Sequence, residues 1–330
     1  MPAVLQRLLL AAACLVLAAC GAAQPAPAPS QMEHIRVAYV QPSSNQAPAW
    51  MAKEAEIFPK YGLDAELTYI QGSATAVSAM LGGSLDVAQM GGPSPVAAVK
   101  QGGDLAIFAG FFNTADFRLM ADPSVKSIAD LKGKTVAISN FESADNFMLT
   151  KVLNQNGLKP GSDVQVIAAK DPAGQMAALK SKQVQVILLG LPSYFEAARQ
   201  GAIELLNVTA LKLPYQSVGL VASRPYLKSQ RAVALRFLKA EIDGMRRFKS
   251  DPDFAQSVLA KYLKTTDDLE IVKKAWEVNA STVAEPPYPT LAGIQEILDN
   301  TGGAAGHQPE DFVDMSLVKE LEDSGFFRKS

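Results

Sequence analysis

Two glycine–proline–serine turns are the segments of this sequence best suited to hold a small molecule. They are Gly91-Gly-Pro-Ser94 and Gly190-Leu-Pro-Ser193. Each follows a short apolar run and precedes a helical pattern, where proline suits the first turn and serine can cap exposed amides. Glycine lets a ligand approach the backbone, and the start of a helix offers free N–H groups to an anionic or strongly accepting group. The turns therefore predict a binding site built largely from backbone amides.

The two turns lie in a repeated segment. Residues 86–102 align without gaps with residues 185–201 at an offset of 99, and seven of the seventeen positions are identical. Upstream, Gly62-Leu63 is matched by Gly157-Leu158. Strand–turn–helix units can look alike by chance, and two copies fall far short of a solenoid. We favour two related lobes, each with a strand that ends in such a turn.

Strand and helix patterns alternate around these turns. Residues 36–40 form a short apolar strand, residues 46–58 show helical spacing, and residues 63–69 alternate as a half-buried strand. A further helix begins at Gly72-Ser73. This order predicts an α/β fold with mainly parallel sheets flanked by helices.

In open α/β sheets ligands bind at the carboxyl ends of the strands. The candidate contacts are therefore the small and polar residues that follow each predicted strand. In the first half of the chain they are Ser43, Ser44, Asn45, Gly72, Ser73, Gly91, Gly92 and Ser94. In the second half they are Asn140, Phe141, Ser143 and Leu191.

The N-terminus has the pattern of an export signal. Arg7 precedes an apolar run over residues 8–19, which is too short to span a bilayer as a helix but fits a signal peptide. Leu17-Ala-Ala-Cys20 resembles the bacterial lipobox, in which the cysteine is lipidated. The alternative is a plain signal peptide with an incidental cysteine. We expect a signal peptide at 1–19 and, because prolines alternate with alanine after Cys20, a lipidated tether at 20–34.

Composition excludes several classes of protein. The chain has 31 basic and 33 acidic residues and no basic tract, so it lacks the charge pattern of a nucleic-acid-binding protein. Beyond the signal peptide Cys20 is the only cysteine, so no disulfide is possible within the mature chain. No later stretch approaches eighteen apolar residues. We expect a monomer on the exported side of a membrane, periplasmic or cell-surface, attached through lipid on Cys20.

The order of several motifs resembles a known family. The chain is similar to ABC-transporter substrate-binding proteins of the nitrate, sulfonate and taurine group, which includes thiamine-precursor binders. The motifs that carry this similarity are the opening strand, Gly62-Leu63, Gly-Ser-Leu-Asp-Val at 83–87, the segment 128–136 and the strand end at Gly190. The resemblance covers roughly residues 35–265. It implies the type II periplasmic-binding fold, in which two lobes joined by a two-strand hinge enclose a ligand. It also implies a small-molecule ligand, an ABC permease and ATPase as partners, and no cofactor or metal.

The resemblance sets the expected domain boundaries. The hinge crossings fall near residues 111–119 and 217–223, so lobe one is 35–113 plus 218–330 and lobe two is 114–217. Asn113, Tyr194 and Tyr215 become candidate contacts at the hinge or lid, although each also fits a packing role.

The ligand itself stays open between an anionic and a polar organic molecule. Glu142 lies among the loop candidates and would repel a sulfonate if it faced the cleft, and no arginine lies in these loops.

An enzyme and a binding protein for a membrane sensor are the two alternative functional classes. An enzyme has little support, since His34 and His307 are the only histidines and Gly133-Lys-Thr lacks the earlier glycine of a phosphate loop. A pyrimidine-precursor synthase of the same fold uses a cysteine-rich motif that has no counterpart here. A binding protein that feeds a membrane sensor rather than an importer is the alternative that the sequence leaves open.

Overall fold

The computed structural model describes residues 32–141, 143–211, 213–264, 268–304 and 306–328. The predicted signal peptide, Cys20 and the tether up to residue 31 lie outside the described residues, and so does Glu142. Within the described ranges no helix is long and apolar enough to cross a membrane.

The first sheet has five strands. They are β1 (Glu33–Tyr39), β2 (Leu63–Tyr69), β3 (Val87–Met90), β4 (Leu105–Gly110) and β10 (Gly219–Ser223). Their order is β2-β1-β3-β10-β4, with β1 parallel to β2 and β3, and β10 antiparallel to β3 and β4. Every residue of β3 and β4 is buried, as expected for apolar strands covered on both faces.

The second sheet repeats this arrangement. Its strands are β5 (Phe117–Ala121), β6 (Thr135–Ile138), β7 (Gln165–Ala168), β8 (Val186–Gly190) and β9 (Ile203–Asn207). Their order is β7-β6-β8-β5-β9, with β6 parallel to β7 and β8, and β5 antiparallel to β8 and β9. The two glycine–proline–serine turns follow β3 and β8, which occupy the same central position in the two sheets.

Helices connect the strands and cover the sheets. Those between strands of the first sheet are α1 (Ala47–Glu54), α2 (Ile57–Lys60), α3 (Ser73–Leu81) and α4 (Pro93–Lys100). Those of the second sheet are α5 (Ala144–Gln155), α6 (Pro172–Lys180) and α7 (Ser193–Arg199). After β10 come α8 (Arg224–Ser229), α9 (Arg231–Ser250), α10 (Pro252–Leu263), α11 (Leu269–Thr282), α12 (Leu291–Asn300) and α13 (Ser316–Asp323). Short 3-10 helices lie at Ser44–Gln46, Ala129–Leu131, Val208–Leu211, Pro309–Phe312 and Phe326–Arg328.

The C-terminal helices complete the core of the first sheet. The long helix α9 buries one apolar stripe, on which Phe237 stacks against Phe58 with ring centroids 5.4 Å apart. Both rings are almost fully buried, and burial of one such side chain stabilises a fold by about 1.5–3 kcal/mol. Helix α11 also reaches the second sheet, because Ala275 packs in the same apolar cluster as Tyr194.

The chain crosses between the sheets twice. It leaves the first sheet after Gly110 and enters the second at Phe117, then returns between Leu211 and Gly219. The two crossing segments are joined by an antiparallel bridge between Thr114 and Pro214. The α/β class predicted from the sequence is confirmed. Each sheet is mixed, because one strand, β10 in the first and β5 in the second, runs antiparallel to both of its neighbours.

Candidate functional site

A cleft opens where the two sheets face each other. It is lined by residues from the loops that follow six parallel strands, three from each sheet. The first sheet contributes residues 40–43, 45, 69, 71–73, 91, 93 and 94, and the second contributes residues 139, 140, 143–145, 170–172, 175, 188–191 and 193. Residues 116–117 and 217–218 of the crossing segments complete the wall. Strand carboxyl ends leave backbone groups and loop side chains free for a ligand, so this is the expected binding position of the fold.

Nine of the residues predicted as ligand contacts line this cleft. They are Ser43, Asn45, Gly72, Ser73, Gly91, Ser94, Asn140, Ser143 and Leu191. Gly72 has a backbone φ of +89°, which glycine adopts without strain. A Cβ added at Gly72 would lie 3.9 Å from the side-chain nitrogen of Asn140 across the cleft. The two walls therefore approach each other closely at this point.

The two walls of the cleft come close to each other at two further places. The hydroxyl of Ser43, from the loop after β1, donates a hydrogen bond to the carbonyl oxygen of Leu191 at 2.8 Å. Leu191 follows β8 and precedes a cis peptide bond to Pro192. A Cβ added at Gly91 would lie 3.7 Å from the methyl of Ala144 at the start of α5, so the two walls are also close at this point.

Three predicted contacts near the cleft lie outside its lining. Ser44 is fully buried in the 3-10 helix that precedes α1. Gly92 is packed against Gln216 and Ile297, with no room for a side chain. Phe141 is 57% exposed and does not line the cleft.

The three hinge candidates also lie outside the lining. Asn113 donates from its side-chain amide to the carbonyl oxygen of Tyr288 at 2.9 Å, which fixes a crossing segment. Tyr194 is buried beneath the guanidinium of Arg118, 4.8 Å from its ring centroid. Tyr215 is fully buried and stacks on Phe147 with centroids 5.3 Å apart. The surroundings of all three are those of packing residues.

A buried carboxylate organises the wall of the second sheet. Asp145 accepts hydrogen bonds from the backbone N–H of Ser139 at 2.6 Å, from the Ser139 hydroxyl at 2.9 Å and from the amide of Gln175 at 3.1 Å. Its other oxygen accepts from the Ser143 hydroxyl and from the backbone N–H of Asn146. Burial raises the pKa of the Asp145 carboxyl, and the bonds from Ser143 and Ser139 oppose that rise. Asp145 therefore holds the loop and the start of α5 in one conformation.

Four charged residues among the described residues of the lining were not among the predicted contacts. Asp116, Asp145, Lys170 and Asp171 all come from the side of the second sheet. Burial raises the pKa of Asp116, and the neighbouring Arg118 guanidinium opposes the rise. Asp171 caps α6 by accepting from the backbone N–H of Gly174 at 2.8 Å. The sequence signal for Asp171 was present, since an Asp-Pro pair after a strand is typical of a helix start.

Tyr69 lines the cleft from the side of the first sheet. Its ring packs against Tyr39 with centroids 5.4 Å apart and stays 43% exposed. Burial raises the pKa of the Tyr69 hydroxyl, and the negative charge of Asp171 across the cleft adds to that rise. An aromatic side chain from the side of the first sheet and a carboxylate from the side of the second therefore line the same cleft.

The lining of the cleft offers hydroxyl, amide and carboxyl groups for hydrogen bonding. The two histidines lie elsewhere: His34 contacts Asp64 on the neighbouring strand, and His307 packs on Phe312. Among the residues that the structure describes, no group of three or more His, Cys, Asp or Glu side chains is placed to hold a metal ion.

Solved structures share this architecture. A protein of Bordetella bronchiseptica RB50 superposes with a TM-score of 0.77 at 19% identity, covering 89% of this chain and 98% of its own. The periplasmic aliphatic sulphonate binding protein SsuA of Escherichia coli superposes with a TM-score of 0.64 at 22% identity, covering 76% of this chain and 85% of its own. The periplasmic nitrate-binding protein NrtA of Synechocystis PCC 6803 superposes with a TM-score of 0.61 at 17% identity, covering 74% of this chain and 69% of its own. Two α/β sheets that face one cleft place the chain in the two-lobed periplasmic-binding class.

The family follows from the sequence match. The model of the family described as NMT1/THI5 like matches residues 43–255, and the chain belongs to this family. A protein of Escherichia coli K12, provisionally named as an aliphatic sulfonates-binding protein, is 28% identical over 277 residues, 82% of this chain and 83% of the relative. The predicted resemblance to sulfonate- and nitrate-group binding proteins is confirmed.

Proposed function

We propose that the protein is the exported solute-binding component of an ABC importer. It captures a small polar or charged organic molecule between lobe one (35–113 and 218–330) and lobe two (114–217) and delivers it to a permease and ATPase. The observation that carries this proposal is the cleft itself, to which each sheet contributes the loops after three parallel strands. The names of the relatives agree, since they are binding proteins and several are periplasmic.

Capture operates through lobe closure. A ligand shifts an open–closed equilibrium only if it contacts the closed form more favourably than the open form. Donors and acceptors on both walls, such as Ser73 on one and Ser143 on the other, meet that condition. The Ser43–Leu191 hydrogen bond adds a protein–protein contact to the closed form.

Attachment to the membrane is part of the proposal. Lipid on Cys20 holds the folded body near the permease, and the proline-rich segment that follows acts as a spacer. Labelling with a clickable fatty acid in the native host tests this assignment. Cys20→Ala should lose the label, whereas Cys14→Ala, inside the signal peptide, should keep it after cleavage. A label that persists in Cys20→Ala contradicts lipidation at Cys20.

Small-angle scattering tests capture. The full mature protein is purified, a ligand is identified by thermal-shift screening, and the radius of gyration is measured with and without it. A decrease on saturation is expected from closure. Unchanged dimensions at full occupancy contradict the closing cleft. ATP hydrolysis by the reconstituted permease and ATPase, stimulated only by the loaded protein, distinguishes import from delivery to a membrane sensor.

A further inference from the structure

Helix α11 is carried by the core of the first sheet but contacts a helix of the second. Its Val272 is fully buried in the apolar cluster that contains Phe248, and the indole N–H of Trp276 donates to the Phe248 carbonyl oxygen at 2.8 Å. Ala275 of the same helix is also fully buried, but in the cluster formed by the second sheet and its helices, where it meets Tyr194 of α7. The helix therefore bridges the two halves of the molecule outside the cleft.

Charged side chains border the contact between α11 and α7. Arg199 at the end of α7 pairs with Asp268, which caps α11 by accepting from the backbone N–H of Ile271. The ammonium of Lys274 lies 5.4 Å from the ring centroid of Phe195. The Arg199 side chain is 63% exposed, and an exposed ion pair contributes little free energy and is screened by salt. The contact is therefore small, with one buried alanine at its centre and charges at its rim.

The second contact between the two halves, that of α12 with α5, is of a different kind. Ile294 and Ile297 of α12 are fully buried in one cluster with Phe147 of α5. Helix α12 also lies against a chain crossing, since Gly293 packs on the backbone of Gln216. Separating α12 from α5 would expose large apolar side chains to water, and the cost grows with the apolar area exposed. Of the two contacts, the one between α11 and α7 is therefore the easier to separate.

We propose that helix α11 is a strap that favours the closed cleft from outside it. Its Ala275 face docks on α7 when the cleft closes and separates from α7 when the cleft opens, while the contact between α5 and α12 acts as the pivot. A contact made only in the closed form raises the closed fraction of the solute-free protein and tightens the binding of any solute that closes the cleft. This inference rests on the proposed function, because it assigns a regulatory contact to the same closing cleft.

The test places a polar side chain in the docked surface. In Ala275→Gln the longer side chain overpacks the contact with α7 in the closed form and is solvated in the open form. Ala292→Gln, the same change at an exposed position of α12, is the matched control. Asp268→Asn removes the charge opposite Arg199 and keeps the helix cap, because asparagine caps as well as aspartate. Glu270→Gln, an exposed carboxylate in the first turn of α11, is the control for that loss of charge.

Two spin labels measure docking of the strap. A chain that begins at residue 20 and carries Cys20→Ser contains no thiol, so labels can be attached at the exposed positions Lys273→Cys on α11 and Gln200→Cys after α7. Pulsed electron paramagnetic resonance then gives the ratio of docked to separated molecules without solute. Ala275→Gln is expected to lower this ratio about tenfold or more, the scale of overpacking. Asp268→Asn is expected to lower it about two- to fivefold, as for the loss of an exposed ion pair, and both controls should keep the wild-type ratio.

A docked ratio in Ala275→Gln equal to that in Ala292→Gln overturns the strap and leaves capture of a solute standing. If Ala275→Gln fails to fold, as judged by urea unfolding, Asp268→Asn decides, because it removes no packing. An unchanged ratio in Asp268→Asn then overturns the strap.

Failure of the proposed function gives a different result. A compound that binds Ala275→Gln in a thermal-shift panel of aliphatic sulfonates and nitrate, the solutes in the names of two relatives, should restore docking. If the bound compound leaves the label distances unchanged in both the wild type and Ala275→Gln, the closing cleft fails together with the strap.

Discussion

Lys151 on α5 and Glu296 on α12 form a partly buried ion pair that joins the second sheet's first helix to a C-terminal helix of the chain. Their side chains are 7% and 21% exposed. Helix α12 also packs against the return crossing, where the backbone of Gln216 lies against Gly293. The pair therefore connects the helix that carries the Ser143 loop to the segment through which the chain re-enters the first sheet.

Breaking this pair from one side should destabilise the protein. In Glu296→Gln the Lys151 ammonium stays buried without a counter-charge, and such a loss costs about 3–5 kcal/mol. Urea unfolding measures it. The double variant Lys151→Met with Glu296→Leu should recover most of the loss, because neither charge then needs a partner. Equal stability of Glu296→Gln and the wild type contradicts a structural role for the pair.

Asp145 should control the order of the loop that follows β6. Asp145→Asn cannot accept the same set of hydrogen bonds, because one of its two terminal atoms is a donor that faces other donors. We expect a loss of about 2–3 kcal/mol, the scale of a hydrogen bond to a charged group. Hydrogen exchange should show lower protection at Ser139 and Asn146. The surface variant Asp163→Asn serves as control, and unchanged protection in Asp145→Asn contradicts the organising role.

How far the sequence predicts this site depends on the range of the interactions. Strand ends and turns such as Gly72-Ser73 are marked by local periodicity and by glycine, so the loops of the cleft could be located from the sequence. The role of Gln175 could not, because it depends on contacts with Ser139 and Asp145, which lie 36 and 30 residues away along the chain. Tyr215 was predicted as a ligand contact from its place in the sequence, but the fold buries it. An aromatic residue near a chain crossing is recognisable, but the stacking on Phe147 that turns it inward is set only by the fold.

Glu241 should make stability fall with rising pH. It lies fully buried on α9, neither carboxyl oxygen has a partner among the described residues, and burial raises its pKa well above the ordinary value of 4.5. The folded protein therefore keeps a proton that the unfolded chain releases, so the free energy of unfolding decreases as pH rises from 4.5 toward the raised pKa. Glu241→Gln should be more stable than the wild type at pH 7 and show a smaller decrease between pH 5 and 7. Denaturant unfolding at both values measures this, with the exposed Glu277→Gln as control. Identical pH dependence in Glu241→Gln and the wild type excludes the effect.

Ser43 should contribute to lobe closure. Ser43→Ala removes the hydrogen bond to the Leu191 carbonyl, which is worth about 0.5–1.5 kcal/mol. Because that bond joins the two walls, its loss should favour the open form and raise the radius of gyration of the ligand-free protein. Ser78→Ala, which removes a hydroxyl bond within α3 alone, is the control. Equal dimensions for both variants would show that the bond does not bias closure.

Two glycines allow ligand binding to be separated from folding. A Cβ at Gly91, a residue that lines the cleft, would meet the Ala144 methyl at 3.7 Å, an ordinary contact. A Cβ at Gly293 would lie 2.4 Å from the backbone nitrogen of Gln216, and neither backbone can move freely because both are buried. We expect Gly91→Ala to keep its unfolding free energy within about 0.5 kcal/mol of the wild type, the usual range away from such clashes, and to bind ligand more weakly. Gly293→Ala should lose about 1–3 kcal/mol, the typical cost of overpacking. Urea unfolding and calorimetry on both variants check this separation, and it fails if Gly91→Ala is the less stable of the two.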